Sequence, residues 1–206
     1  KAKNIENLEE FKKGYFTVQD EAAGLCALMP QPQKEDKILD ACSSPGGKTT
    51  YLAELMNNQG KIEAWDIHEH RTKLVEEATT RLEISNVQTK VKDATKYDEK
   101  YKETFDKILL DVPCSGLGVL KRKPDIKWKR TKEDIQEICK VQEQILENCS
   151  KYLKNGGTLV YSTCSILKEE NEKNIQKFLS KNAQFEIIKP ELEKESYFEK
   201  YCKNNK

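Results

Sequence analysis

Six short apolar runs, each closed by turn residues, alternate with segments of helical period, and this alternation restricts the possible folds more than any other feature. The runs are 37–42 (KILDAC), 61–67 (KIEAWDI), 87–94 (VQTKVKDA), 107–113 (KILLDVP), 157–164 (GTLVYSTC) and 185–189 (FEIIK). The spacing predicts helices near 49–57, 70–84, 133–153 and 169–180. Repeated strand and helix units build a mostly parallel sheet covered by helices on both faces, an α/β class. Ligands on such sheets bind beyond the carboxyl ends of the strands. The unusual residues of this chain are therefore judged by whether they fall there.

A chain of 206 residues is long enough for one core. Before the first strand, 14–30 (GYFTVQDEAAGLCALMP) predicts a lead-in and a short helix from near Val18, stopped by Pro30. Residues 1–36 are thus expected to pack on a single catalytic domain, 37–206. The chain begins on Lys1, so a fragment of a longer protein is expected. There is no run of 18 apolar residues and no charged-then-apolar leader, so the expectation is a soluble cytoplasmic protein, a monomer without a membrane partner.

The seven cysteines include no CxxC pair, and two histidines are too few to complete a zinc site. Reduced thiols and no bound metal follow. Cys26, Cys139 and Cys149 fall in helical patterns that suit packing, and Cys202 lies in a polar tail. Cys114 in LLDVPCSG and Cys164 in VYSTCS differ, because each follows a strand and is flanked by turn residues.

In ILDACSSPGGKTT a strand runs into a loop with Gly46 and Gly47, and a helix follows from near Lys48. Glycines let backbone approach a ligand closely, and helix-start amides attract polar groups. Asp66 follows about 20 residues later at the end of the next strand, where an acid can bind both ribose hydroxyls or cap a helix. Asp93, after the third strand, can contact an adenine or serve a turn. The dinucleotide pattern GxGxxG is absent. A phosphate loop, GxxxxGK[ST], is nearly matched by CSSPGGKT, with Cys42 in place of its first glycine, which keeps a P-loop-like ATPase as an alternative. S-adenosylmethionine needs only close backbone approach, a ribose acid and a contact to adenine.

From Lys121 to Lys132 the chain carries seven basic residues against one acid, with Trp128 among them. Beside an active site, clustered Lys and Arg suit phosphate contact and an aromatic ring suits base stacking. Lys121, Arg122, Lys123, Lys127, Trp128 and Arg130 are the candidate RNA-binding residues.

The blocks DACSSPGGKTT, AWDIHEHR, KDAT, ILLDVPCSGLGVLKRKPDIKW and GGTLVYSTCSILKEENE, in this order, resemble the RNA cytosine-5 methyltransferases of the NOL1/NOP2/Sun family. FTVQDEAA and RKPDIKW resemble its bacterial 16S ribosomal RNA branch, also called Sun or Fmu. The resemblance runs from about Phe11 to Leu179. It implies a Rossmann-like class I methyltransferase fold, with S-adenosylmethionine held by Cys42, Ser43, Ser44, Pro45, Gly46, Gly47 and Lys48, and by Asp66, Asp93 and Asp111. Members also carry an N-terminal RNA-binding domain and end in a strand with a Gly-Phe-Phe-like motif. Neither is found here, so an incomplete C-terminal sheet edge is expected.

Cytosine C5 is too weak a nucleophile to take a methyl group directly. A thiolate adding to C6 makes C5 enamine-like. Spacing alone leaves open which cysteine attacks. The resemblance implies that Cys164 attacks, that Cys114 helps release the product, and that Asp111 hydrogen-bonds the cytosine ring, with ribosomal RNA as the partner. A catalytically inactive RNA-binding module on the same fold is a second alternative, which the paired cysteines disfavour.

Overall fold

The structure is a computed structural model; it describes residues 5–189, except the side chains at positions 127 and 129. Five strands form one sheet: β1 Lys37–Asp40, β2 Lys61–Asp66, β3 Val87–Val91, β4 Phe105–Asp111 and β5 Leu153–Ser162. Their order is β3-β2-β1-β4-β5, and every neighbouring pair is parallel. Ile38, Leu39, Ile108, Leu109 and Leu110 are fully buried. Burial on both faces is why the central strands β1 and β4 read as continuous apolar runs rather than alternating ones.

The helices are α1 Glu9–Lys12, α2 Glu21–Leu28, α3 Gly47–Leu55, α4 Glu69–Arg81, α5 Ile126–Lys129, α6 Lys132–Cys149 and α7 Glu172–Lys181. One core gathers Trp65, Phe105, Leu110, Leu146, Tyr152 and Phe178, joining α6 and α7 to the sheet. The other gathers Ala27, Leu52, Met56, Ile62 and Leu109, joining α2 and α3 to it. The lead-in is tied down by Arg81 of α4. Its guanidinium donates to the carbonyls of Phe11 and Phe16 and lies 3.9 Å above the Phe11 ring.

Four sequence expectations are corrected. The helix expected to reach residue 153 stops at Cys149; after a 3-10 turn, Leu153 pairs with Phe105 and starts β5. Tyr152 is drawn into the aromatic cluster with Trp65 and Tyr101, which a continuing helix would not allow. Helix α7 starts at Glu172 rather than 169, because residues 168–171 form a turn. Helix α2 starts at Glu21 rather than near Val18, since Asp20 is its cap and accepts the Ala22 N–H. The run 185–189 is not a strand. Phe185 folds edge-on against Phe178, while Ile187 and Ile188 stay exposed, so β5 is the sheet edge among the described residues.

The start of α6 carries a capping box. Thr131 accepts the Asp134 N–H, and Asp134 accepts the Thr131 N–H. Such a cap contributes about 1 kcal/mol and fixes where the basic segment ends. Strand β1 lies between β2 and β4, so the connections leaving β1 and β4 diverge and open a crevice at their carboxyl ends. The glycine loop follows β1, and the Cys114 turn follows β4.

Candidate active site

The loop between β1 and α3 is shaped by its own contacts. Ser43 donates both its N–H and its hydroxyl to the Trp65 carbonyl, at 2.9 and 3.0 Å, and its carbonyl accepts the Gly46 N–H. Gly46 has φ +105°, and a Cβ there would stand 3.2 Å from the Val75 Cα. Only glycine lets this loop lie against α4 in that conformation. Pro45 is exposed and joined to half-buried Ser44 by a cis peptide bond. Cys42 packs against the core, and burial pushes its thiol well up.

Lys48 crosses the crevice, its Nζ 2.6 Å from Asp111 Oδ2, while Ser162 donates to Asp111 Oδ1 at 2.8 Å. Burial opposes the Lys48 charge, but the Asp111 carboxylate outweighs it and holds the ammonium above its ordinary range. In a phosphate loop the lysine serves ligand phosphates; here it is engaged by a carboxylate.

Two polar atoms at this loop are buried without a hydrogen-bond partner. One is Oδ1 of Asp40, at the carboxyl end of β1; its Oδ2 accepts the Thr49 hydroxyl at 2.7 Å. Burial raises the Asp40 carboxyl to about 6. The other is Nε2 of Gln19, 3.7 Å from where a Cβ on Gly47 would sit. An orphaned donor beside a glycine at a helix start suits an anionic or hydroxylic ligand group.

The other two acids stand at the next strand ends. Asp66 is 4% exposed; its Oδ1 accepts the His68 N–H at 3.0 Å, and its Oδ2 lies 3.4 Å from Arg71 Nε. It therefore serves a turn but does not cap α4, whose N-cap is His68. Asp93 uses Oδ1 for its own turn, accepting from the Thr95 N–H and hydroxyl. Partial burial opposes its charge, yet the Thr95 donors hold its carboxyl below the ordinary range.

The two cysteines meet. Cys114 Sγ and Cys164 Sγ are 2.7 Å apart, and the Cys164 N–H points at Cys114 Sγ from 3.2 Å. The contact splits their acidities: accepting from Cys114 lowers the Cys164 thiol to about 7, while the same contact, then burial, push Cys114 far up. Of the two thiols, Cys164 is thus the one favoured to ionise. Gly118 donates to the Cys164 carbonyl at 2.9 Å, and a Cβ on it would come within 2.7 Å of that oxygen. The turn after β4 thus lies directly on the Cys164 turn.

The basic segment borders this pair. Arg130 donates to the Ser115 carbonyl at 3.3 Å, and Arg122 forms an ion pair with Asp20. Lys121 and Lys123 are exposed, Trp128 is 83% exposed, and the Lys127 side chain lies outside the described set. Of the candidate residues, the constellation is two pairs, Lys48 with Asp111 and Cys114 with Cys164, at the ends of β4 and β5; Asp66 and Asp93 line neighbouring strand ends.

Sequence reasoning missed Gln19, Asp40, Gly118 and Glu170. Asp40 had a signal, an acid closing a buried strand. Gln19 sat in FTVQDEAA and Glu170 in the KEEN stretch, both inside blocks quoted for the resemblance, but neither had a chemical role read from it, and KEEN looks like a solvated surface.

The 16S rRNA methyltransferase RsmB/F family profile matches residues 27–204. A probable ribosomal RNA small subunit methyltransferase B from Bacillus subtilis is 41% identical over 177 residues, covering 85% of this chain and 40% of that protein. The ribosomal RNA small subunit methyltransferase B of Proteus mirabilis is 46% identical over 179 residues, covering 86% and 42%. The crystal structure of NSun6 from Pyrococcus horikoshii with SFG superposes with TM-score 0.79 at 37% identity, covering 87% of this chain and 46% of that one. The chain spans about two fifths of the curated relatives it matches. The fold is the Rossmann-like one of S-adenosylmethionine-dependent methyltransferases, which favours the methyltransferase reading of the glycine loop over the ATPase one. Match and constellation cover the same segment: this chain belongs to the 16S rRNA methyltransferase RsmB/F family.

Proposed function

We propose that this chain holds the catalytic centre of an RNA cytosine-C5 methyltransferase that acts on small-subunit ribosomal RNA through a covalent Cys164 adduct. The observation that carries this reading is the thiol pair with opposed acidities at the ends of β4 and β5. A packing role calls for no thiolate, and the P-loop motif of an ATPase contains no thiol.

S-adenosylmethionine, when bound, supplies an electrophilic methyl group. The residues present fit it: Gln19 Nε2 and Asp40 Oδ1 are orphaned at the glycine loop, and Asp66 stands at the next strand end, where a ribose acid belongs. Cys42 to Lys48 would line the methionine side, and Asp93 and Asp111 the adenine side and the reacting base.

The Cys164 thiolate adds to cytosine C6 and forms the S–C6 bond, and the electron pair of the C5–C6 double bond moves onto the ring. The Asp111 carboxylate accepts from the ring's exocyclic amine and orients it, with Lys48 and Ser162 keeping that carboxylate in place. With the cofactor bound, C5 would take the methyl group as the methyl–sulfur bond breaks, its electron pair leaving with S-adenosylhomocysteine. Once Cys164 is bound to C6 it carries no charge, so the influences that keep Cys114 protonated disappear, apart from burial. Cys114, after losing its proton to solvent water, takes the C5 proton; the electron pair of the C5–H bond re-forms the C5–C6 double bond, and the S–C6 pair leaves with the Cys164 thiolate. Lys121, Lys123, Lys127 and Arg130 contact RNA phosphates beside this centre, Arg122 being held by Asp20, and Trp128 offers a stacking face.

The test is incubation with methyl-labelled S-adenosylmethionine and small-subunit RNA, followed by digestion to nucleosides. Label is expected in 5-methylcytidine. Label confined to a ribose or to another base would overturn the reading.

A further inference from the structure

Glu170 lies in the turn before α7 with no solvent exposure, and its carboxylate joins the two cysteine turns. Oε2 accepts the Ser115 N–H at 2.8 Å and the Gln142 side-chain amide at 2.9 Å. Oε1 accepts the hydroxyls of Ser115 and Ser165, the second at 2.5 Å. Ser115 directly follows Cys114, and Ser165 directly follows Cys164. Gln142 also donates to the Pro113 carbonyl at 2.9 Å, gripping the Cys114 turn from its other side. The Glu170 backbone is itself anchored, its carbonyl accepting from Tyr161 at 2.8 Å.

Burial opposes the charge on Glu170, yet donors from Ser115, Ser165 and Gln142 hold its carboxyl below the usual range. No lysine or arginine pairs with it among the described residues. A buried carboxylate without a cation is a costly way to fill space, and an apolar side chain would pack there at lower cost. What a carboxylate adds is fixed acceptors for donors on two separate turns.

We infer that Glu170 is a positioning residue: by clamping Ser115 and Ser165 it sets the spacing between the Cys114 and Cys164 thiols. The inference rests on the proposed function for its purpose, but its test needs neither RNA nor cofactor. Glutamine can keep all four contacts, its Oε1 accepting from the Ser115 N–H and Gln142 and its Nε2 donating to the two serine oxygens. Alanine releases both turns.

The experiment is iodoacetamide alkylation of Cys164 against pH, read peptide by peptide in a mass spectrometer. The titratable groups acting on Cys164 are Cys114, Asp111 and Glu170; the first lowers its thiol and the two carboxylates raise it. Glu170→Ala loses the Cys114 contact, so the alkylation midpoint rises from about 7 towards the ordinary value of about 8.5. Glu170→Gln keeps the contact and loses a negative charge, so its midpoint falls below that of the wild type. The two substitutions thus shift the profile in opposite directions. Shifts of the same sign, or none, overturn the clamp. If Glu170→Ala does not fold, Ser165→Ala removes one contact from the clamp and is expected to raise the midpoint; an unmoved midpoint there overturns it equally. Opposite shifts in a protein that makes no 5-methylcytidine would support the clamp and discard the proposed reaction.

Discussion

Replacing Cys114 with alanine should slow the formation of the RNA adduct at neutral pH and yet make the adduct accumulate. The Cys164 thiol is held at about 7 chiefly by its contact with Cys114, while burial, Asp111 and Glu170 all push it up. Without that contact it returns to at least the ordinary value of about 8.5, and the thiolate fraction at pH 7 falls from about half to about 3%, roughly 15-fold. The more basic thiolate is intrinsically more nucleophilic, by roughly five-fold for a Brønsted slope of 0.4–0.5. Adduct formation is therefore expected to be about three-fold slower than wild type at pH 7. At pH 9, where both thiols are largely ionised, the same estimate makes the variant about four-fold faster. The two pH profiles cross.

Release behaves differently. With no group at position 114 to take the C5 proton, the methylated ring stays bound to Cys164. The assay is a denaturing gel of protein incubated with RNA and S-adenosylmethionine, quenched over time at several pH values. A protein–RNA band that appears slowly at pH 7 and then persists is the expected result, and Cys114→Ala/Cys164→Ala should show none. A trapped band in Cys164→Ala with none in Cys114→Ala would mean that the two roles are exchanged. Parallel profiles without a crossing would mean that the thiol contact does not set the acidity of Cys164.

Asp66→Ala should weaken S-adenosylhomocysteine binding by about 10- to 100-fold, as expected for losing a charged acceptor of ribose hydroxyls; calorimetric titration checks this, and magnesium-dependent ATP binding by the wild type would restore the phosphate-loop alternative. Neutralising Lys121, Arg122 and Lys123 together should flatten the salt dependence of RNA binding by about two phosphate contacts rather than three, because Arg122 is already paired with Asp20. An unchanged slope would make the segment a solvated loop. Asp40 has a folded pKa of about 6, above an unfolded value of about 3.9, so its contribution to stability is complete below about pH 4 and lost as the pH rises through about 6. Asp40→Asn should therefore gain about 2–3 kcal/mol relative to wild type between pH 4 and pH 7.5 in chemical denaturation, and a difference independent of pH would refute the burial of a titrating carboxyl there.

What could be read from the sequence follows the range over which the physics acts. The central strands β1 and β4 were legible because burial leaves them apolar runs, β3 and β5 only from their place in the alternation, and the cysteine turns because proline and glycine punctuate them. The run 185–189 has the same local character, but a strand also needs a partner, and no local pattern reveals that Phe185 will turn onto Phe178 instead. The Lys48–Asp111 bridge spans 63 residues, and the Glu170 contacts to Ser115 span 55. Neither has a local signature, and the second hides in a stretch that looks like charged surface.

The thiol pair is intermediate between these cases. Each cysteine was visible alone, and the open question was whether they meet and which one attacks. Their meeting is a consequence of register: β4 and β5 are parallel neighbours with Asp111 opposite Ser162, so turns leaving the two strands at the same level bring Cys114 and Cys164 together. Had β5 slipped by two residues along β4, each side chain would have kept its face of the sheet, but the thiols would have been displaced by about 6–7 Å. A slipped pairing would also have moved Ser165 away from the carboxylate that holds Ser115. The chemistry proposed here thus depends on a strand alignment set by the core residues, and the acidity that separates attacker from proton carrier exists only in that alignment.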